Sequence, residues 1–547
     1  MKLTRREAIK LVGSGALLSP FSFPQPAQAL FSPSVPRFQE PLKRPPLLLP
    51  SKSNTTGTRP IDYYEITMQK AEVEILPGLK TKMWCYVGKG LAPSAVGPII
   101  RQRGGVEPED GGRTSVIRFA NNLGTAPEQG KDATIATSIH LHGMASLPQY
   151  DGYATDLIQP GFFKDYFYPN DRAATLWYHD HAIHKTSRNV YMGLAGMYVV
   201  DDAKDRALNL PKGDYDIPLI IQDKKFDAAG QLVFDDHGQR SAFGDVVLVN
   251  GTPFPRLTVA RRKYRFRLLN ASPSRAYQLV LSQSEKTLTG GDAFYVISTD
   301  AGLLEKPVKM TAPFDTLLLG VGERYGLVID FKDYPKGTKL YLHSPAFNNN
   351  VDVTSNTSVI MRFDIEEDAT DDSSLPEVLR QPFERLVDQI QPGQVVPTRT
   401  FRFERNGNQW KINNKTWDEK HVEANPQPGT LEIWNLVNAG AGWLHPVHIH
   451  FVDLQIIDRN GRPPRPYERG WKDVFALDDF ETVRVIAKFS APLDPTPGKR
   501  PIKGKYMMHC HNLVHEDHDM MTQFEIGSGG DSPHSAPALP ISEMQPF

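Results

Sequence analysis

An apolar run that ends in asparagine occurs three times in this chain: SVIRFANNL from Ser115, KYRFRLLNAS from Lys263 and TLEIWNLVNAG from Thr430. The copies stand roughly 150 to 170 residues apart, the interval of a repeated domain. The alternation, in the repeats and elsewhere, is that of a strand. Tyr264, Phe266 and Leu268 share one face of KYRFRLL, and Val483, Val485, Ala487 and Phe489 share one face of ETVRVIAKF. Forty-two glycines and 45 prolines break the chain into short strands, as β-sandwiches require. A chain of 547 residues that is 40% hydrophobic can bury several such cores. The expected fold is therefore all-β, with three sandwich domains over 55–202, 203–366 and 399–527. The leading helical candidate is the polar linker 367–398, where LPEVLRQPFERLVDQI has a partly 3.6-residue apolar period. Residues 528–547 read as a flexible C-terminal tail.

The first 29 residues read as an address and not as part of the fold. Arg5 and Arg6 precede an uncharged run, LVGSGALLSPFSF, and Ala27-Gln28-Ala29 offers a small-residue cleavage site. Paired arginines predict export through the Tat system, which carries folded chains and places the mature protein in the periplasm or outside the cell. No other stretch reaches the length of uncharged apolar sequence that a membrane helix needs. The formal net charge is -1, and the leader removes more bases than acids, which argues against nucleic acid or an anionic membrane as the main partner.

The segments after the three repeats set the units apart. The first repeat leads to HLHG (His140, His142), the third to HPVHIH (His445, His448, His450), and the second to AYQLVLS without a histidine. The closing strands differ in the same way: LWYHDH holds His179 and His181, YMMHCH holds His509 and His511, and LYLHS in the middle holds His343 alone. The first and third units are expected to carry metal chemistry, and the middle one to be a spacer.

An exported protein usually forms disulfides, yet only Cys85 and Cys510 are present, and Cys510 stands between two histidines. In a strand, His509 and His511 point to one face and Cys510 to the other. Metals on the two faces would lie on the order of 10 Å apart, joined by the covalent path of one cysteine and its flanking peptides. On the cysteine side, Cys510, His515 and Met520 succeed one another at loop spacing, and His445 can supply a second imidazole. A thiolate, two imidazoles and a weak thioether make an electron-transfer copper site. On the other side, four His-x-His pairs supply eight imidazoles, which suit clustered copper better than four-coordinate zinc. Ten of 16 histidines are thereby used; His184, His237, His343, His421, His518 and His534 read as ordinary polar residues.

WYHDHAIH, GWLHPVHIH and HCHNLVHEDHDMM resemble the three-domain multicopper oxidases, most closely bilirubin oxidases and bacterial spore-coat-type laccases. The resemblance spans nearly all of the mature length and implies three cupredoxin-like Greek-key sandwiches with a trinuclear cluster between the first and third. It implies His445, Cys510, His515 and Met520 as type 1 copper ligands and His140 and His448 as type 2 ligands. The type 3 pair would fall to His142, His179, His181, His450, His509 and His511. The expected load is about four coppers per chain.

Four-electron reduction of O₂ to water consumes four protons, and two acids are placed to supply them: Asp151, after HLHG in QYDGYATD, and Glu516, next to His515. The resemblance implies phenols, aromatic amines or tetrapyrroles as reducing substrates. A monomer is the expected state, although the sequence itself does not set the oligomeric state. Trp443, two residues before His445, is a candidate for the substrate edge. A metallo-oxidase for Cu(I), Fe(II) or Mn(II) is the alternative. The 13 methionines are scattered, with none between Met361 and Met507; EEDATDD at Glu366 to Asp372 is an acidic run that could dock iron, though it reads better as a solvated linker. A copper-free exported scaffold is a further alternative, and it would hold little copper.

Overall fold

The computed structural model describes residues 31–56, 59–106, 110–126, 133–345, 357–490 and 503–547. The expected leader lies outside them. Among the described residues no helix is long and apolar enough to cross a membrane.

Each repeated run is a central strand, placed in the same way each time. Thr114–Asn122 pairs in parallel with Ile61–Glu74 and antiparallel with Phe162–Tyr168. Lys263–Asn270 does so with Asp216–Lys224 and Arg324–Asp330, and Leu431–Asn438 with Thr398–Asn406 and Thr482–Lys488. The closing asparagine also does the same work in each copy. Its side-chain oxygen accepts the backbone N–H two residues on, from Leu123, Ser272 or Gly440. Its amide donates to carbonyls of neighbouring loops: Ile135 and Ile158, Arg275 and Leu319, and Trp443. A short side chain that satisfies the turn and ties loops together explains why asparagine ends all three runs.

Each of these central strands belongs to one of two facing sheets, giving sheets of six and four strands in the first unit, seven and five in the middle, and five and four in the third. Three large apolar cores fill the spaces between them. The fold is all-β, three cupredoxin-like Greek-key sandwiches. A smaller apolar cluster joins them, with Trp177 and Met197 of the first unit, Ile220 and Leu269 of the middle and Leu513 of the third.

Two expectations fail here. The linker has no α-helix, only a 3₁₀ turn at Leu386–Gln389. Pro382 falls inside the apolar period and interrupts it, since proline has no N–H to donate. The segment is held by its neighbours instead: Leu379 N–H donates to Glu305 O, Leu386 N–H to Gln455, and Arg380 pairs with Asp202. The chain end, expected to be flexible, lies along the first unit. Leu539–Pro540 pairs with Phe162–Tyr168, Arg118 donates to Gln545 O, and the Phe547 ring sits 4.0 Å from the Arg118 guanidinium.

Candidate metal centres

The four His-x-His pairs meet because two strand pairs face each other across the junction of the first and third units. His140 stands opposite His179, and His448 opposite His509. All eight rings are buried. His140 Nε2 lies 3.3 Å from His448 Nε2, His181 Nε2 lies 3.2 Å from His509 Nε2, and His450 Nε2 lies 3.3 Å from His509 Nε2. His511 Nε2 is 3.2 Å from Nδ1 of His142. Three groups of these ring nitrogens fall within 4.8 Å: His140 with His448 and His450, His140 with His142 and His179, and His181 with His450 and His509.

The outer ring nitrogens show what these inner ones can bind. His140 Nδ1 meets the Asp151 carbonyl, and His448 Nδ1 meets the Asp473 carbonyl at 2.9 Å. A carbonyl only accepts, so both Nδ1 atoms carry the protons and two bare Nε2 lone pairs face each other. Burial holds both imidazoles well below their usual pKa, with neighbouring histidines adding to the effect, so the rings stay neutral. Converging lone pairs repel unless a cation lies between them. His179 Nε2 is likewise buried without a hydrogen-bond partner.

On the other face of the strand ending at Cys510, Sγ lies 3.4 Å from His445 Nδ1 and 3.6 Å from His515 Nδ1. Burial pushes the thiol pKa up, so a thiolate here needs a cation to stabilise it. Cys510 is not disulfide-bonded, and neither is Cys85. Met520 packs in the same apolar core as Cys510, and its carbonyl accepts the Cys510 N–H. Met521 points elsewhere, into a cluster with Tyr153, Ala154 and Met507. The His515 ring is fixed from outside: Nε2 lies 2.9 Å from the Arg240 carbonyl, and Trp410 stacks on it at 3.6 Å.

Trp443 is only partly buried and lies edge-on to His515, with ring centroids 5.6 Å apart. With Trp410, Arg405 and His445 it lines an open cavity of about 510 Å³.

Both candidate acids belong to the cluster side. Asp151 Oδ2 is 2.8 Å from His450 Nδ1, and Glu516 Oε2 is 2.9 Å from His509 Nδ1. Burial raises both carboxyls, Glu516 to about 7. The run EEDATDD is engaged in ion pairs, Asp368 with Lys336 and Asp371 with Arg262. His343 in the middle unit lies 2.8 Å from the Ser284 carbonyl, far from both groups in sequence and outside them in space.

Several residues of the site carry no spacing in the sequence that marks them. Asp473 lies 3.0 Å from His142 Nε2, and Asp517 accepts the N–H groups of Thr186 and Ser187, tying the helix Thr186–Met192 to the third unit. Trp410 and Arg405 come from strands with no histidine. The one available signal for Trp410 was a large aromatic within a third-unit strand, which any core would also use.

Sandwiches of this type, with a buried cysteine and two histidines set behind an eight-imidazole cluster, define the class of cupredoxin-like oxidases. Residues 110–205 and 389–530 each match the family described as multicopper oxidase. A bilirubin oxidase of Albifimbria verrucaria is 40% identical over 517 residues, covering 91% of this chain and 82% of that protein. A laccase of Bacillus subtilis is 31% identical, covering 90% and 99%. Among solved structures, a laccase from Pediococcus acidilactici superposes with a TM-score of 0.75 at 28% identity, covering 91% of this chain and 95% of that one. The chain belongs to the multicopper oxidases and is an oxidase enzyme. The family implies copper, and the neutral, converging imidazoles and the buried thiol fit it.

Proposed function

We propose that this enzyme oxidises phenols, aromatic amines or tetrapyrroles such as bilirubin one electron at a time, and that four electrons and four protons reduce each O₂ to two waters. One arrangement carries the reading. His445, Cys510 and His515 sit behind an aromatic-walled cavity, and Cys510 is covalently continuous with His509 and His511 of the imidazole cluster. The names of the relatives, bilirubin oxidase and laccase, support the substrate class.

His445, Cys510, His515 and Met520 would hold type 1 copper, and His140 and His448 type 2. His142, His179, His181, His450, His509 and His511 would hold the type 3 pair. When bound, copper supplies single-electron acceptance at the first site and O₂ reduction at the second. The partly exposed Trp443, packed edge-on against the buried Trp410, offers aromatic surface to a flat substrate, and the Arg405 guanidinium, 4.8 Å from the Trp410 ring, offers a cation to its carboxylates. The Cys510 backbone gives the shortest covalent path between the two groups. Asp151 and Glu516 hold protons beside His450 and His509. The division into 55–202, 203–366 and 399–527, the Tat leader and a monomeric exported enzyme belong to the same proposal.

Steady-state rates on fully copper-loaded enzyme test it, with bilirubin, a dimethoxyphenol, Cu(I), Fe(II) and Mn(II) compared side by side. The organic substrates are expected to show the highest kcat/KM. A metal ion that outpaced them all would make the protein a metallo-oxidase.

The packing of the two methionines gives a second test. Met520→Leu should raise the type 1 potential, because loss of a weak donor destabilises Cu(II) more than Cu(I). Met521→Leu, which alters a different cluster, should leave it nearly unchanged. Redox titration of the blue absorption reads both, and the reverse ranking would reassign the axial ligand.

A further inference from the structure

The middle unit reaches the imidazole cluster, although it has none of the cluster's histidines. Its turn between Leu317–Leu319 and Arg324–Asp330 lies against the ring of His511. A Cβ built on Gly322, where φ is +81°, would stand 2.9 Å from His511 Cδ2. Two residues on, Arg324 is fully buried, and its guanidinium joins all three sandwiches. Nη1 and Nη2 donate to the two carboxylate oxygens of Asp473 at 2.6 Å each. Nε donates at 2.9 Å to the carbonyl of Thr175, on the strand that carries His179.

Asp473 touches two cluster histidines at once. Its Oδ1 is 3.0 Å from His142 Nε2, and its backbone carbonyl is 2.9 Å from His448 Nδ1. With both oxygens accepting from Arg324, the carboxylate is an acceptor, so His142 carries its proton on Nε2 and has a bare Nδ1. That Nδ1 is the atom 3.2 Å from His511 Nε2. His140 and His448 are turned the other way, with Nδ1 outward on a carbonyl and Nε2 inward. The reversed orientation of His142 therefore depends on the carboxylate behind it. The pair also packs tightly on the residue after His142: a Cβ on Gly143 would lie 2.6 Å from Arg324 Nη2 and 2.8 Å from Asp473 Oδ2.

We infer that Arg324 is a positioning residue of the cluster: by gripping Asp473 with both guanidinium nitrogens, it sets the tautomer and ring direction of His142 and the seat of His448. The inference rests on the reading that these histidines hold copper. It makes the middle sandwich part of the metal site. A purely structural role is the competing account, since Arg324, Asp473, Asp300, Lys472 and Glu323 form one buried ionic network. A network of that kind would affect stability alone.

The test uses the whole chain and Arg324→Lys, which keeps the charge and loses the two-pronged grip. Copper retained against a competing chelator, the type 2 electron paramagnetic resonance signal and ¹⁵N-histidine spectra of the metal-free protein are compared with wild type. The cluster is expected to bind copper ~10–100-fold more weakly, with an altered type 2 signal. The blue absorption at Cys510 should be retained. In the metal-free wild type His142 is expected as the Nε2–H tautomer, with that preference weakened in the variant. Unchanged copper retention and an unchanged type 2 signal, with or without lower thermal stability, would leave Arg324 a structural residue and overturn the inference. An Nδ1–H tautomer of His142 in the wild type would also overturn it. If Arg324→Lys does not fold, Asp473→Asn takes its place under the same readouts, and wild-type retention and signal in that variant overturn the inference equally. A wild-type chain that holds no copper sinks the copper reading itself, an outcome distinct from wild type and variant loading alike.

Discussion

Cys510→Ser is expected to abolish the intense blue absorption and to reduce oxidation of organic substrates to the level of copper-free protein. The colour requires a thiolate on the metal, and a serine hydroxyl at this position is neither ionised nor soft enough to replace it. The rest of the metal should remain. His509 and His511 face away from the sulfur, and the imidazole cluster is built from eight rings that the substitution does not touch. Copper content should thus fall by about one from about four. The fold should weaken modestly, because a hydroxyl placed in the buried apolar core of the third unit costs about 1–3 kcal/mol if it finds no partner. Absorption spectra and metal analysis of the purified variant decide the matter: a blue band that survived would remove Cys510 from the site.

Much of the fold was legible in three asparagines. Asn121, Asn270 and Asn438 close the same strand of three sandwiches with the same side-chain hydrogen bonds, so the motif survives where the surrounding sequence does not. Local chemistry of that sort leaves a trace in sequence. The linker and the chain end left a misleading one or none. The apolar period at 375–390 predicts a helix, but Pro382 denies it a donor, and contacts to Glu305 and Gln455 hold the segment in place around its one 3₁₀ turn. Phe547 at the extreme end has no pattern around it, and only the tertiary structure shows it resting on Arg118.

The site divides along the same line. Histidines at spacing two on a strand necessarily share a face, so four pairs announce a cluster before any fold is known. The groups that orient those histidines have no such spacing. Asp473 and His142 are 331 positions apart, and Arg324 and Asp473 are 149 apart. Each is an ordinary charged residue in its own strand or turn, and only the assembly of three sandwiches makes it part of the site. Reading the middle unit as a spacer was a sound inference from its lack of ligands. Its contribution is packing and hydrogen bonding, through Gly322 and Arg324, which a search for ligands does not detect.

The two acids beside the cluster separate electron uptake from oxygen chemistry. Asp151 reaches His450 and Glu516 reaches His509, while among the described residues His445 and His515 on the cysteine side have no carboxylate in their ring contacts. Asp151→Asn and Glu516→Gln should therefore bleach at the wild-type rate when substrate reduces the blue site without oxygen. Reoxidation on admission of O₂ should slow in each variant. An amide of nearly the same shape cannot give up a proton as a carboxylic acid does, and general acid catalysis is typically worth ~10²–10⁴-fold. Orientation is the competing explanation, since both acids touch ring nitrogens of cluster histidines and their loss could reduce metal loading. Copper analysis of each variant distinguishes the two. Slow reoxidation at full copper content assigns the acids to proton supply, and a loss of rate that merely tracks a loss of copper makes them supports of the histidines. Slow anaerobic bleaching with normal reoxidation would contradict both accounts and move the acids to the substrate side, against the 2.8 Å and 2.9 Å contacts that place them at the cluster.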